Sequence, residues 1–276
     1  MKVAFNTMIK NESEILKSVL PIWKKYNVDY FIFYNDKSTD DTVNVIKSFL
    51  PEDKVIIINH NLPSFNEGYQ RQSMLEKSRE LNVDYTICLD ADELLSGNIV
   101  KNFNSFLSNF NEYDINLFWY NVVNDSLHLY RNDNMYSENY RTFVLPMKHI
   151  GNLSSDDWKY HTPRTPVVNL PKKFTKDYGV IHLQSVNKKY YAIKQLWYKH
   201  HEFTCYNHTV DFINSRYDPV VNNLNFNPQF TPDYIIDGIE INLSCFKDLE
   251  IKKGYYDFIV SNKNEELITF GKEYFI

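Results

Sequence analysis

The chain has 276 residues, 43% hydrophobic and 24% charged, the proportions of a soluble globular protein long enough to bury a full core. A net charge of −5 leaves no basic footprint and argues against nucleic-acid binding as the main task. Cys88, Cys205 and Cys245 are widely spaced and odd in number, which excludes a disulfide framework and fits a reducing, cytoplasmic compartment. The N-terminal apolar run is too short for a signal peptide or a membrane span, and only peripheral membrane association stays open.

In chain order, Lys2 to Met8 reads as a strand, and Ile15, Val19, Leu20, Ile22 and Trp23 recur at helical spacing after it. Asp29 to Tyr34 is a second strand. Ser38 or Thr39 is expected to cap the following helix, which carries Val43, Ile46 and Phe49 and closes at Pro51. Val55 to Ile58 is a third strand, Tyr69 to Leu81 a helix, and Tyr85 to Leu89 a fourth strand. This alternation predicts an α/β fold, a parallel sheet covered by helices on both sides. Further on, the pattern predicts a helix over Ile99 to Phe110 and a strand over Ile115 to Val123. It then predicts a loop over Asn124 to Asn139, a strand over Arg141 to Leu145 and a short strand over Val180 to Leu183. Lys188 to Phe203 reads as a strong helix. The Asn- and Pro-rich tail reads as short strands at Ile239 to Leu243, Tyr256 to Val260 and Leu267 to Phe270.

Three strands run into polar segments: Asn6 to Glu12, Asn35 to Asp41, and Asp90 to Glu93. In a parallel sheet these lie on the carboxyl edge, where such folds bind ligands. Neither a Gly-x-Gly-x-x-Gly fingerprint nor a Walker loop is present to explain them. In Asp90-Ala91-Asp92-Glu93 three carboxylates crowd the end of an apolar strand. A divalent cation with hard oxygen ligands, Mg²⁺ or Mn²⁺, relieves their repulsion, and the bland alternative is a solvated turn capping the next helix.

Taken together, Met8 to Glu12, Asn35 to Thr42 and Leu89 to Glu93 resemble a family 2 type nucleotide-sugar glycosyltransferase. The resemblance implies the GT-A fold, a Rossmann-like domain with a metal-binding Asp-x-Asp. Residues 1–203 would form that domain, 1–97 holding the nucleotide sugar and 98–203 the acceptor, with 204–276 an extension of unassigned role. It also implies a UDP-sugar donor, a glycan or glycoconjugate acceptor, inversion, and Mn²⁺ or Mg²⁺. By the family's pattern Asp92 is the direct metal ligand, Asp90 supports it toward ribose or metal-bound water, and Asp36 meets the base. Asn35 stands where a second acid is common. Thr7, Asn11, Glu12, Asn66 and Arg71 are further donor-binding candidates, although capping and helix-dipole roles account for several of them equally well.

An inverting transfer needs a carboxylate within reach of the acceptor hydroxyl. The resemblance points to Asp157, with Asp156 beside it, and Trp158 offers an aromatic face to a sugar. It assigns His182 to the metal shell, with His161 as competitor, and Arg164 to a phosphate or an acceptor carboxylate. The alternatives are nucleotidyl or phosphoryl transfer on a similar sheet, and a non-catalytic glycan-binding protein.

Overall fold

The computed structural model describes residues 1–62, 65–123, 126–131, 139–151, 164–206, 208–222, 228–243, 246 and 253–272. The chain divides into two compact units. The first comprises residues 1–120, 140–182 and 232–242, and the second comprises 121–139, 183–231 and 243–276.

The first unit opens with the expected alternation: β1 (Val3–Ile9), α1 (Ser13–Trp23), β2 (Tyr30–Asn35), α2 (Thr42–Phe49), β3 (Val55–Asn59), α3 (Glu67–Glu80) and β4 (Tyr85–Cys88). The sheet order is β3-β2-β1-β4, all parallel, and β9 (Val144–Pro146) adds antiparallel to β4. Both faces of β1 are covered, so every residue of it but Met8 is buried, the polar Asn6 and Thr7 included. The Phe5 ring meets Trp23 of α1 at 4.7 Å, and the Asn6 amide bonds to Ser78 of α3 at 3.2 Å. α3 starts two residues earlier than its apolar spacing predicts, because the Asn66 side chain accepts the Tyr69 N–H at 2.9 Å and extends the helix toward it.

A second sheet begins at the motif itself. β5 (Glu93–Leu95) pairs antiparallel with β10 (Lys172–His182), and β6 (Asp114–Val123) and β8 (Tyr140–Thr142) continue it. β10 is far longer than its predicted stretch, since Lys172–Phe174 and Lys176–Asp177 are exposed and, Phe174 apart, polar. The strand expected over Arg141 to Leu145 is divided between β8 and β9, which join different sheets. The helix expected over Ile99 to Phe110 is broken at Asn102 into α4 (Gly97–Lys101) and α5 (Phe103–Ser108). α4 begins at a glycine for a steric reason: a Cβ on Gly97 would lie 1.9 Å from the Asp237 carbonyl oxygen.

In the second unit the tail of β6, Asn121–Val123, pairs with β7 (Ser126–Arg131), and β7 pairs with β11 (Gln229–Phe230). The loop expected over Asn124 to Asn139 therefore gives way to a strand at 126–131. α6 (Lys188–Tyr206) forms as expected, but the tail is helical: α7 (Val210–Asn222) and a last helix, Lys253–Ser261. None of the three predicted tail strands is present among the described residues. Ile259 instead packs with Tyr191, Leu196 and Val221, the helical spacing of Tyr255 and Ile259 serving a helix-on-helix core.

Candidate functional site

Ile9 lies opposite Asn35, and Asn6 opposite Cys88, so the polar segments after β1, β2 and β4 meet along one edge of the sheet. The first two are laced together. Asn11 takes the left-handed conformation (φ 53°) that asparagine tolerates, its N–H donates to Ser38 Oγ at 3.0 Å, and its Oδ1 accepts the Thr39 N–H at 2.7 Å. The Glu12 N–H donates to Thr42 Oγ1 at 2.8 Å. Ser38 and Thr39 are thus engaged with Asn11 and do not cap α2; the Asp40 carboxylate accepts the Thr42 N–H at 3.0 Å in their place.

Asp36 is buried at the end of β2. Lys10 Nζ donates to its Oδ2 at 2.8 Å, and His60 Nδ1 lies 3.4 Å from its Oδ1. His60, one residue beyond β3, is also 3.3 Å from the Tyr34 hydroxyl and 3.5 Å from Gln70 Nε2. His60 escaped the sequence reading, although it follows directly on a strand and so falls on the same sheet edge as Asp36. Burial and the nearby Tyr69 and Asp36 push the Tyr34 hydroxyl up to about 12.

The carboxylates of the motif take three different environments. Asp90 is partly exposed, its Oδ2 accepting from Arg164 Nη2 at 2.7 Å and its Oδ1 lying 3.6 Å from Arg71 Nη2. Glu93 is fully buried. Its carboxylate accepts the Asp90 N–H at 2.7 Å and the Trp119 indole N–H at 2.8 Å, and it is ion-paired with Arg164 Nη1. Asp92 is buried with its Oδ2 3.7 Å from His182 Nε2, and the His182 ring stacks on Trp119 at 4.3 Å and 17°.

The two arginines hold this charge. Arg164 lies over the Phe143 ring at 4.9 Å, and Arg71 is fixed by Glu67 through Nε at 2.9 Å and Nη2 at 2.7 Å. Burial works against the Arg164 charge, but Asp90 and Glu93 outweigh it and raise its pKa; Glu67 and Asp90 do the same for Arg71. Both guanidiniums therefore stay charged, and the buried Glu93 carboxylate has the partner that a desolvated charge requires. Burial pushes the neighbouring Cys88 thiol up to about 12, which keeps it protonated and inert.

The sequence-predicted residues thus fall into separate environments. Asp90, Asp92, His182, Arg71 and Arg164 are brought together, and Asp36 joins the edge through β2. Asn66 caps α3. Thr7 shares the face of β1 that Phe5 turns to α1, and its buried hydroxyl has no hydrogen-bond partner among the described residues. Arg164, expected at the acceptor, is ion-paired with Asp90 and Glu93. Asp156, Asp157, Trp158 and His161 lie outside the described residues. Trp119 gave no signal in the sequence, being one apolar residue in a strand buried from end to end.

No group of three or more His, Cys, Asp or Glu able to hold a metal ion is present among the described residues. Asp92 and His182 nevertheless suit one cation as a pair. Two metal–ligand bonds of about 2.0–2.2 Å span up to roughly 4 Å between the ligand atoms, and the pair stands 3.7 Å apart.

Residues 4–165, more than half of the chain, match the family described as glycosyl transferase family 2. The chain belongs to that family. Membership makes it a glycosyltransferase, in keeping with the parallel sheet and the helices flanking it. Residues 1–349 of TarS from S. aureus, solved in complex with UDP-GlcNAc, are 11% identical with a TM-score of 0.45, over 80% of this chain and 72% of that one. Glucosyl-3-phosphoglycerate synthase from Mycobacterium tuberculosis, solved with Mn²⁺, UDP-glucose and glycerol 3-phosphate, is 14% identical with a TM-score of 0.26, over 34% of each chain. Identities this low carry no information on substrate. No curated protein matches the chain. No described helix is long and apolar enough to cross a membrane.

Proposed function

We propose that this family 2 glycosyltransferase moves a sugar from a UDP-linked donor to a glycan or glycoconjugate acceptor, with inversion and with Mn²⁺ or Mg²⁺. The observation that carries the reading is the buried Asp92–His182 pair, 3.7 Å apart, at the sheet edge that Asp36 and Asp90 also line. Glycosyl transfer from a nucleotide diphosphate builds negative charge on the leaving group, and a divalent cation at its oxygens stabilises that charge. Asp92 and His182 would hold the cation, with Asp90 supporting them.

Asp36 would accept a hydrogen bond from the base at the far side of the edge, with Lys10 Nζ, 2.8 Å from its Oδ2, holding the carboxylate in place. Arg71, fixed by Glu67, would face the diphosphate. The base that takes the acceptor hydroxyl's proton is assigned to Asp157, with Asp156 beside it, and Trp158 to the acceptor sugar. The region 1–97 would serve the donor and 98–203 the acceptor. Phosphoryl transfer and simple glycan binding are the poorer readings for a member of this family.

A panel of nucleotide sugars assayed with and without Mn²⁺ tests the reading. Release of the nucleoside diphosphate from one UDP-sugar, dependent on the cation and lost in Asp92→Ala, is expected. Unchanged turnover in Asp92→Ala would sink the metal assignment. Asp157→Asn should leave UDP binding intact while transfer falls about 100-fold or more, the scale of general base catalysis.

A further inference from the structure

We infer that Glu93, with Arg164 and Trp119, is a positioning brace that sets the Asp92–His182 pair for a divalent cation. The inference rests on the metal-dependent reading above and deepens it by assigning a role to the third carboxylate of the motif.

One buried carboxylate holds both members of the pair. Through Oε2, Glu93 accepts the Asp90 N–H at 2.7 Å, while its own N–H donates to the Asp90 carbonyl at 3.1 Å. These two bonds close the turn that carries Asp92. Through Oε1, Glu93 accepts the Trp119 indole N–H at 2.8 Å, and the Trp119 ring lies flat against His182, 4.3 Å between centroids at 17°. The backbone repeats the connection: Glu93 and His182 face each other as register partners of β5 and β10, and the Trp23 indole donates to the Glu93 carbonyl at 3.0 Å.

Arg164 makes this arrangement possible. Its guanidinium joins the Glu93 carboxylate to Asp90 and so neutralises a charge that burial otherwise opposes. The Glu93 oxygens are taken by the Asp90 N–H, the Trp119 indole and Arg164, so it does not meet the donor or the cation itself. Its effect reaches the reaction through the orientation of Asp92 and His182, as the groups behind metal ligands do elsewhere.

The test is Mn²⁺ binding by the full chain in the presence of UDP, read from loss of the free-ion electron paramagnetic resonance signal. Glu93→Gln keeps the shape of the side chain but not its charge, and Trp119→Phe keeps a ring on His182 without the N–H. Both are expected to bind Mn²⁺ about 10–100-fold more weakly while circular dichroism shows them folded. Ile259→Ala, in the separate core with Tyr191, Leu196 and Val221, should lose stability and keep its Mn²⁺ affinity. If Glu93→Gln does not fold, Trp119→Phe decides. Wild-type affinity in folded Trp119→Phe would overturn the brace alone, whereas a wild-type chain that binds no Mn²⁺ with UDP would overturn the metal reading together with it.

Discussion

Asp36 and Asp92 are both buried carboxylates at strand ends, yet their partners differ in kind. Asp36 is paired with the Lys10 ammonium, with the His60 imidazole also beside it, while Asp92 lies beside the His182 imidazole, a group that binds cations when neutral. Asp36→Asn keeps the size of the side chain and removes the charge. A hydrogen bond to a charged group is worth about 1.5–3 kcal/mol, so the Michaelis constant for the donor should rise roughly 10–100-fold with little change in kcat. Initial rates over a range of donor concentrations check this; a fall in kcat at constant KM would place Asp36 in the chemical step instead. At this scale the sequence was informative where a charge follows a strand, as in Asp36, Asp90 and Asp92. It was silent where an apolar residue is recruited, as with Trp119, because nothing in a run of buried residues marks the one whose N–H meets a carboxylate.

Among the elements, the short segment from β5 into α4 is the most constrained. The Trp23 indole and the Tyr26 hydroxyl fix its strand, bonding to the Glu93 carbonyl and the Leu95 N–H, and Gly97 lets the helix start against Asp237. A methyl group at Gly97 would meet a backbone carbonyl that cannot rotate away. Gly97→Ala is therefore expected to cost about 1–3 kcal/mol, measured as a lower denaturant midpoint, and an unchanged midpoint would show that the 232–242 segment yields freely. The first four strands were legible because their apolar runs are flanked by helical periodicity. β10 was not, since its outer residues are exposed and, Phe174 apart, polar, and its pairing comes from β5, far away in sequence. The tail was misread for a related reason: Tyr256 to Val260 is aromatic and β-branched enough to suggest a strand, but its partners lie on α6 and α7, and packing overrides local propensity.

For the molecule as a whole, pH acts on stability through a buried histidine of the second unit. His200 is fully buried on α6 and its Nδ1 lies 2.8 Å from the Leu196 carbonyl. Burial, reinforced by Lys199 against that hydrogen bond, lowers its pKa below the usual histidine value. The unfolded chain takes up the proton near about pH 6.5, where the folded chain still resists it. Stability is then complete above that pH and declines as the pH falls toward the folded value. Denaturant midpoints at pH 7.5 and 5.5 should differ in this direction, and His200→Gln should reduce the difference; an equal difference in the variant would assign the effect to other groups.

β3 is the outermost parallel strand of the first sheet, with β2 its neighbour. Its sequence from Val55 to Ile58 is four partly buried β-branched apolar residues, beside an edge whose backbone groups pair with no strand among the described residues. Such an edge templates addition of a strand from another molecule when the fold loosens, and the charged Glu52, Asp53 and Lys54 before it act as gatekeepers. The sheet that gathers the site at its strand ends thus carries a risk of self-association along its β3 side, and conditions that unfold the chain should drive it into β-rich aggregates.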